Sequence, residues 1–242
     1  MKKIAFLIII LIQMQVVFSQ SEDTEEEYPF WVSVTSKGGF VNSHLFNNNI
    51  DEDSRVDFGY FEPGYTVGGQ IGANWGGGFG FAIELMHTRL NQHYSIDLSG
   101  IEYDKNISIN LFDKFLLIKS VGLKGSYIEL GGKFTRVTKA IEKNNISTPF
   151  LLKTSDFSNK ERVGMVFGFG VNVLFTEVYS INIGMRAAYT LSNFMDDEKY
   201  PIRDGLHPVD YSSYSTTNPV TIDFVLNLSF HIGELEVEKK KK

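Results

Sequence analysis

His93, Ser95 and Asp97 stand at alternate positions in one polar stretch of this chain. A base, a nucleophile and an acid are the set from which a hydrolytic triad is drawn. Sequence neighbours on a loop seldom converge on one reacting atom, so a rim hydrolase is the weakest reading they support. The five histidines (His44, His87, His93, His207 and His231) are scattered. Only His87 and His93 are near each other, and no third ligand accompanies them. Asp51-Glu-Asp53 and Asp196-Asp-Glu198 carry the oxygens that a hard cation takes, without the spacing of a calcium loop. They read as solvated acidic turns, and neither a metal nor a cofactor is expected. The glycine runs Gly76-Gly-Gly-Phe-Gly80 and Gly168-Phe-Gly170 lack the lysine and the strand-to-helix setting of a phosphate loop. Gly-x-Ser-x-Gly does not occur. No enzyme is expected.

A second set of residues is more telling. Lys37, Lys133 and Arg186 are balanced by Glu84, Glu129 and Asp223, and each lies in the middle of an alternating segment. Glu84, Lys133, Arg186 and Lys37 fall at similar depths counted from the short turns. Charges taken out of water must pair, so these predict a salt-bridge network inside the fold. It would serve as an ion path or as a packed, satisfied plug, and the plug is the favoured reading. Tyr200, Tyr211 and Tyr214, set among serines and threonines, are candidate loop contacts for a ligand or partner.

The elements that must hold these residues are strands. Ile222, Phe224, Leu226, Leu228, Phe230 and Ile232 alternate with Thr221, Asp223, Asn227 and Ser229, a period of two. Comparable alternation marks seven earlier segments, at about 30–41, 64–75, 79–90, 106–121, 127–137, 163–175 and 180–192. The segment at 106–121 is the least regular. Ile107, Ile109 and Leu111 alternate well, then Asp113 falls on their side, which predicts a β-bulge near Asp113. Connections alternate between tight turns and polar stretches of roughly 15 to 27 residues, as in outer-membrane barrels.

The composition of the second face decides which side meets lipid. A water-facing barrel exterior would carry many Lys and Glu, whereas this face is mostly Gly, Ser, Thr, Asn and Ala, which suits a narrow interior. Trp75, Phe79, Tyr127 and Tyr179 gather beside the short turns, and Phe40, Tyr65, Tyr189 and Phe194 lie toward the long loops. Two aromatic belts mark two bilayer interfaces. The fold expected is an all-β, eight-stranded, antiparallel up-and-down transmembrane β-barrel.

Bulk properties agree. Lys2 and Lys3 precede an apolar run that ends at Ser19, the form of a cleaved signal peptide at 1–19. An acidic leader at 20–29, the barrel at 30–232 and a Lys-rich tail at 233–242 follow, with leader and tail in the periplasm. Without Lys2 and Lys3 the net charge falls from −6 to −8, and nucleic acid is not an expected partner. There is no cysteine, hence no disulfide framework. A mean hydropathy of −0.10 is ordinary for a barrel whose alternate residues meet lipid.

With its signal, alternation, loop rule and closing Leu226-x-Leu228-x-Phe230-x-Ile232, the chain resembles the small outer-membrane β-barrel proteins of Gram-negative bacteria, OmpA/OmpX-like or PorT-like. The Phe-Ser-Gln signal end and the Asn- and Lys-rich loops resemble those of Bacteroidota. The resemblance implies outer-membrane lipid as surroundings, the barrel-assembly machinery as a transient partner, and a monomer. It implies a non-enzymatic structural or interaction role through long extracellular loops, with an extracellular or envelope protein as possible partner. The alternatives are an accessory subunit of a secretion or envelope complex, then a small porin-like pore.

Overall fold

Alternating apolar and small polar residues give each segment two unlike faces, and such segments satisfy their backbones by pairing with neighbours. The computed structural model describes residues 30–75, 78–98, 100–122, 126–145, 150–152, 161–176, 178–194 and 215–233. Among them ten strands form: β1 (Trp31–Phe46), β2 (Val56–Phe58), β3 (Gly64–Trp75), β4 (Phe79–Leu98), β5 (Ile101–Val121), β6 (Tyr127–Asn144), β7 (Phe150–Leu152), β8 (Arg162–Phe175), β9 (Tyr179–Thr190) and β10 (Asn218–Ile232). A one-turn helix, α1 (Asn48–Asp51), follows β1. The signal, the leader and the tail after Gly233 lie outside the described residues. So do Tyr200, Tyr211, Tyr214 and the acidic trio at 196–198.

Eight strands close into a ring in the order β1–β3–β4–β5–β6–β8–β9–β10, and β10 pairs back onto β1 from Val32↔Ile232 to Phe46↔Asn218. Every pairing is antiparallel. The chain is an eight-stranded antiparallel up-and-down transmembrane β-barrel. Outside the ring, β2 pairs with β4 and β7 with β6. The exterior carries a continuous apolar band that includes Ile71, Ile83, Leu116, Leu130, Phe167, Ile183 and Leu226, all exposed. The 12-residue β3, tilted as such strands are, spans about 30 Å and so matches the thickness of a bilayer core.

Several strands run beyond their expected ends. The stretch between the third and fourth expected strands is no loop: β4 and β5 stay paired from Phe79↔Ser120 to Leu98↔Ile101. The bulge expected near Asp113 is on the partner strand instead. The register shifts where Asn110 faces Lys139 and Leu111 faces Val137, so the extra residue is Thr138 of β6. β5 itself keeps one parity throughout. Ile107, Ile109, Leu111, Asp113, Phe115, Leu117 and Lys119 all point inward and are buried.

The irregular pattern of β5 therefore has another cause. In the apolar band its outward residues are greasy and its inward ones include charges. Above the band the assignment inverts. Ile107, Ile109 and Leu111 join Leu45, Leu90, Tyr94, Ile96, Val137 and Phe194 in an apolar core inside the wall. Asn106, Ser108 and Asn110 face outward. Strand geometry is continuous while its surroundings change from lipid to water.

The closed ring has a direct readout. The full 27.4 kDa chain, folded in detergent, is expected to migrate faster on a gel before boiling than after it. Identical migration would contradict a closed barrel.

Candidate functional site in the barrel lumen

In the membrane-spanning part inward parity brings four cations (Lys37, Lys119, Lys133 and Arg186) and four carboxylates (Glu84, Glu129, Asp113 and Asp223) into the lumen, all buried, while two further buried cations, Lys105 and Arg162, lie toward the loop end. Arg186 is the hub. Its Nη1 and Nη2 donate to Glu84 at 2.5 and 3.0 Å, and its Nε donates to Glu129 Oε1 at 2.8 Å, with Nη2 donating to the same oxygen. Lys37 donates to Glu84 Oε2 at 2.5 Å and lies 4.0 Å from Glu129. Lys119 closes the cluster, 3.3 Å from Glu129 Oε2 and donating to Gln70 at 3.0 Å. The guanidinium of Arg186 also lies over the Phe115 ring at 4.7 Å, so one of its faces is covered as well as its edges.

The backbone makes room for this. Glu129 of β6 and Arg186 of β9 are not neighbours; Gly168 of β8 stands between them in register. A Cβ at Gly168 would meet Glu129 Oε1 at 2.9 Å. The glycine is the gap across which the pair forms.

Of the six charges expected from the alternation, Lys37, Glu84, Glu129 and Arg186 come together. Lys133 does not share their contacts. It lies 3.4 Å from Asp113, to which Thr135 also donates at 2.7 Å. Asp223 is the register partner of Arg186 across the β9–β10 pair. Asp113 and Lys119 were missed. Their signal is parity: on β5 the charges at 105, 113 and 119 share one face, which a lipid-facing assignment of Ile107 obscures.

Six aromatics of the expected belts are on the exterior: Trp75, Phe79 and Tyr179 beside the turns, and Phe40, Tyr65 and Tyr189 at the other edge. Two are not. Tyr127 is only 7% exposed and points into the lumen. It lies across Gly170 and Gly184, where a Cβ would approach its ring or hydroxyl to 2.3 and 2.6 Å, and it accepts from Asn227 at 2.8 Å. Phe194, at 0% exposure, belongs to the apolar core at the loop end. Its carbonyl accepts from Arg162 at 3.0 and 2.7 Å, and its ring lies under that guanidinium. Both are structural anchors of the interior rather than belt residues.

The lumen thus has three levels. A small cavity of about 50 Å³ opens at the turn end, lined by Gln70, Lys119, Tyr127, Asn182 and Asn227, room for a few waters. The charge cluster is its floor. Ala82, Met86, Phe115, Leu117, Val166 and Ala188 form an apolar cluster on the same strands as these charges, and the larger core that ends at Phe194 lies toward the loop end.

The other candidates disperse. His93, Ser95 and Asp97 occupy one outward face of β4, about 7 Å apart per step, too far for a triad. His93 bonds Asn106 Oδ1 at 2.9 Å and lies 3.7 Å from Asp104, while His87 packs beside Tyr65. Asp51 accepts from the backbone N–H of Asn47, and Asp53 pairs with Arg55. Among the described residues no three potential metal ligands stand together.

No protein-family model and no curated protein matches this chain. Among solved structures it is similar to the Ail protein of Yersinia pestis, at 9% identity, covering 86% of this chain and 100% of that one with a TM-score of 0.38. It is also similar to outer membrane protein OprG from Pseudomonas aeruginosa, at 9% identity, covering 86% and 96%, TM-score 0.39. Neisserial surface protein A is a third, at 9%, 83% and 96%, TM-score 0.35.

The cluster predicts a coupled stability effect. Glu129→Gln leaves Lys119 and Arg186 short of a carboxylate and is expected to destabilise the folded barrel by about 3 kcal/mol. Adding Lys119→Met restores the balance, and urea unfolding in micelles should find the double variant more stable than Glu129→Gln alone. Strictly additive losses would contradict the geometry.

Proposed function

We propose that this chain is an outer-membrane protein, exported by a signal peptide at 1–19, that acts at the outer face of the membrane as a structural or interaction protein and carries no solute through its lumen. The observation that carries this reading is the sequence of barriers inside the barrel. Glu84, Glu129 and Arg186 are bonded to one another across the lumen. An apolar core ending at Phe194 stands beyond them. A charged solute entering from the turn end would have to break a buried ion cluster and then cross that core.

The face that remains is the exterior above the apolar band, which supports the interaction role. β4, β5 and β6 rise as a wall whose outward residues are polar, among them Arg89, Asn91, His93, Asn106, Ser108 and Arg136. The turn end would face the periplasm, where Phe30 and Gly233 stand close together.

Two measurements test the reading. The full chain is expected to sediment with outer membranes and resist carbonate extraction, and to give no stepwise conductance in planar bilayers. Recovery as a soluble periplasmic monomer would overturn the location, and reproducible conductance steps would overturn the sealed lumen.

A further inference from the structure

On three adjacent strands the apolar exterior ends at nearly the same row, and on the outer two, β4 and β6, a cation stands within the first two outward positions beyond it. On β4 the last apolar outward residue is Leu85, followed by His87 and Arg89. On β6 the continuous apolar run ends at Phe134, followed by Arg136, Thr138 and Lys139, with a single apolar residue, Ile141, beyond them. Between them β5 ends its apolar run at Phe112 and continues with Asn110 and Ser108. The register places His87, Phe112 and Arg136 in one row and Arg89, Asn110 and Lys139 in the next. Cations two strands apart in such a row stand about 10 Å from each other.

The bulge at Thr138 contributes directly. It leaves two consecutive residues, Thr138 and Lys139, exposed before inward parity resumes at Ala140, so β6 presents Arg136 and Lys139 together. Arg89 is steadied on the same surface by Asn91 at 3.4 Å and Ser108 at 3.2 Å. Among the described residues, no carboxylate lies within 4.0 Å of Arg89, Arg136 or Lys139. Lys114, one row lower, is satisfied by Glu161. At the same edge β1 presents a neutral residue, Asn42, which braces Tyr60 and Glu62.

We propose that Arg89, Arg136 and Lys139 form a binding patch for the phosphate groups of lipid headgroups in the outer leaflet. The reasons are continuity and charge. The patch is the upper margin of the lipid-facing band, where headgroup phosphates lie, and among the described residues its cations lack carboxylates of their own. Guanidinium groups take phosphate oxygens in bidentate fashion, and the intervening Asn110 and Ser108 add neutral hydrogen-bonding groups. The acyl chains would lie on Phe112, within the patch, and on Leu85 and Phe134 in the row below, on either side of the Lys114–Glu161 pair. The patch would fix the barrel's depth and its orientation relative to phosphorylated lipid. It rests on the transmembrane, outer-membrane reading.

Native mass spectrometry of the full chain in maltoside micelles, titrated with diphosphoryl lipid A and with its dephosphorylated form, tests this. The parent is expected to retain the phosphorylated lipid preferentially. Arg136→Gln with Lys139→Gln should weaken that retention about tenfold, and Lys143→Gln, an exposed cation away from the patch, should leave it unchanged. Millimolar inorganic phosphate should not displace the lipid. Equal retention of the two lipid forms, or a double variant that binds like the parent, overturns the proposal. Displacement by inorganic phosphate also overturns it, in favour of a free-anion site. All variants are first checked for the faster unboiled gel band. Its absence in the parent would count against the barrel in the membrane, whereas a folded barrel indifferent to phosphate would count against the patch alone.

Discussion

The constraint on which everything else depends is the closing pair between β1 and β10. In hydrocarbon an unpaired backbone N–H or carbonyl has no water to turn to, so a spanning sheet cannot keep an open edge. Registration from Val32↔Ile232 to Phe46↔Asn218 removes both edges at once. Once eight strands close, the diameter is set, and little besides side chains fits inside. Inward positions must then be small, or large and shared between strands that have given up their own side chains. Gly168, which lets Glu129 reach Arg186, and Gly170 with Gly184, which lie under Tyr127, are the local form of that constraint.

Charge in so narrow an interior must also be neutralised almost residue by residue. Lys37, Lys119 and Arg186 exceed Glu84 and Glu129 by one charge, while Asp113 and Asp223 exceed Lys133 by one. The two excesses meet where Asp223 pairs in register with Arg186. An internal network of this kind gives little net stability over an apolar core of the same shape, but losing one member leaves a buried charge without its partner. Its consequence is specificity: the strands that carry these residues tolerate no slip in register, because a slip of one would turn each charge into lipid.

Much of this was legible in the sequence. The segments at 64–75 and 163–175 could be read almost to the residue, and Lys37, Glu84, Glu129 and Arg186 were found because each is a charge on the small-residue face of a regular strand. What was not legible has a common physical cause. Side-chain parity was inferred from hydrophobicity, and hydrophobicity reports the inward face only in water and the outward face only in lipid. Position beside a turn points Tyr127 to a belt, although its parity matches Glu129. Position near a long loop points Phe194 to the other belt, although it lies where the interior has become apolar. Neither position carries a local signal of which solvent surrounds it.

β5 makes the same point in reverse. Its inward face runs Lys119, Leu117, Phe115, Asp113, Leu111, Ile109, Ile107, and its outward face runs Ile118, Leu116, Lys114, Phe112, Asn110, Ser108, Asn106. Polarity exchanges between the faces near Phe112, with no change in backbone parity. That crossing marks the bilayer's upper margin on this strand more directly than the aromatic belts do, since it follows from the solvent on both sides of the wall. β4 crosses between Leu85 and His87, and β6 between Phe134 and Arg136. Register aligns the three crossings into one line. A strand pattern that looks defective under a single-solvent reading is thus the record of a wall that passes from one solvent into another.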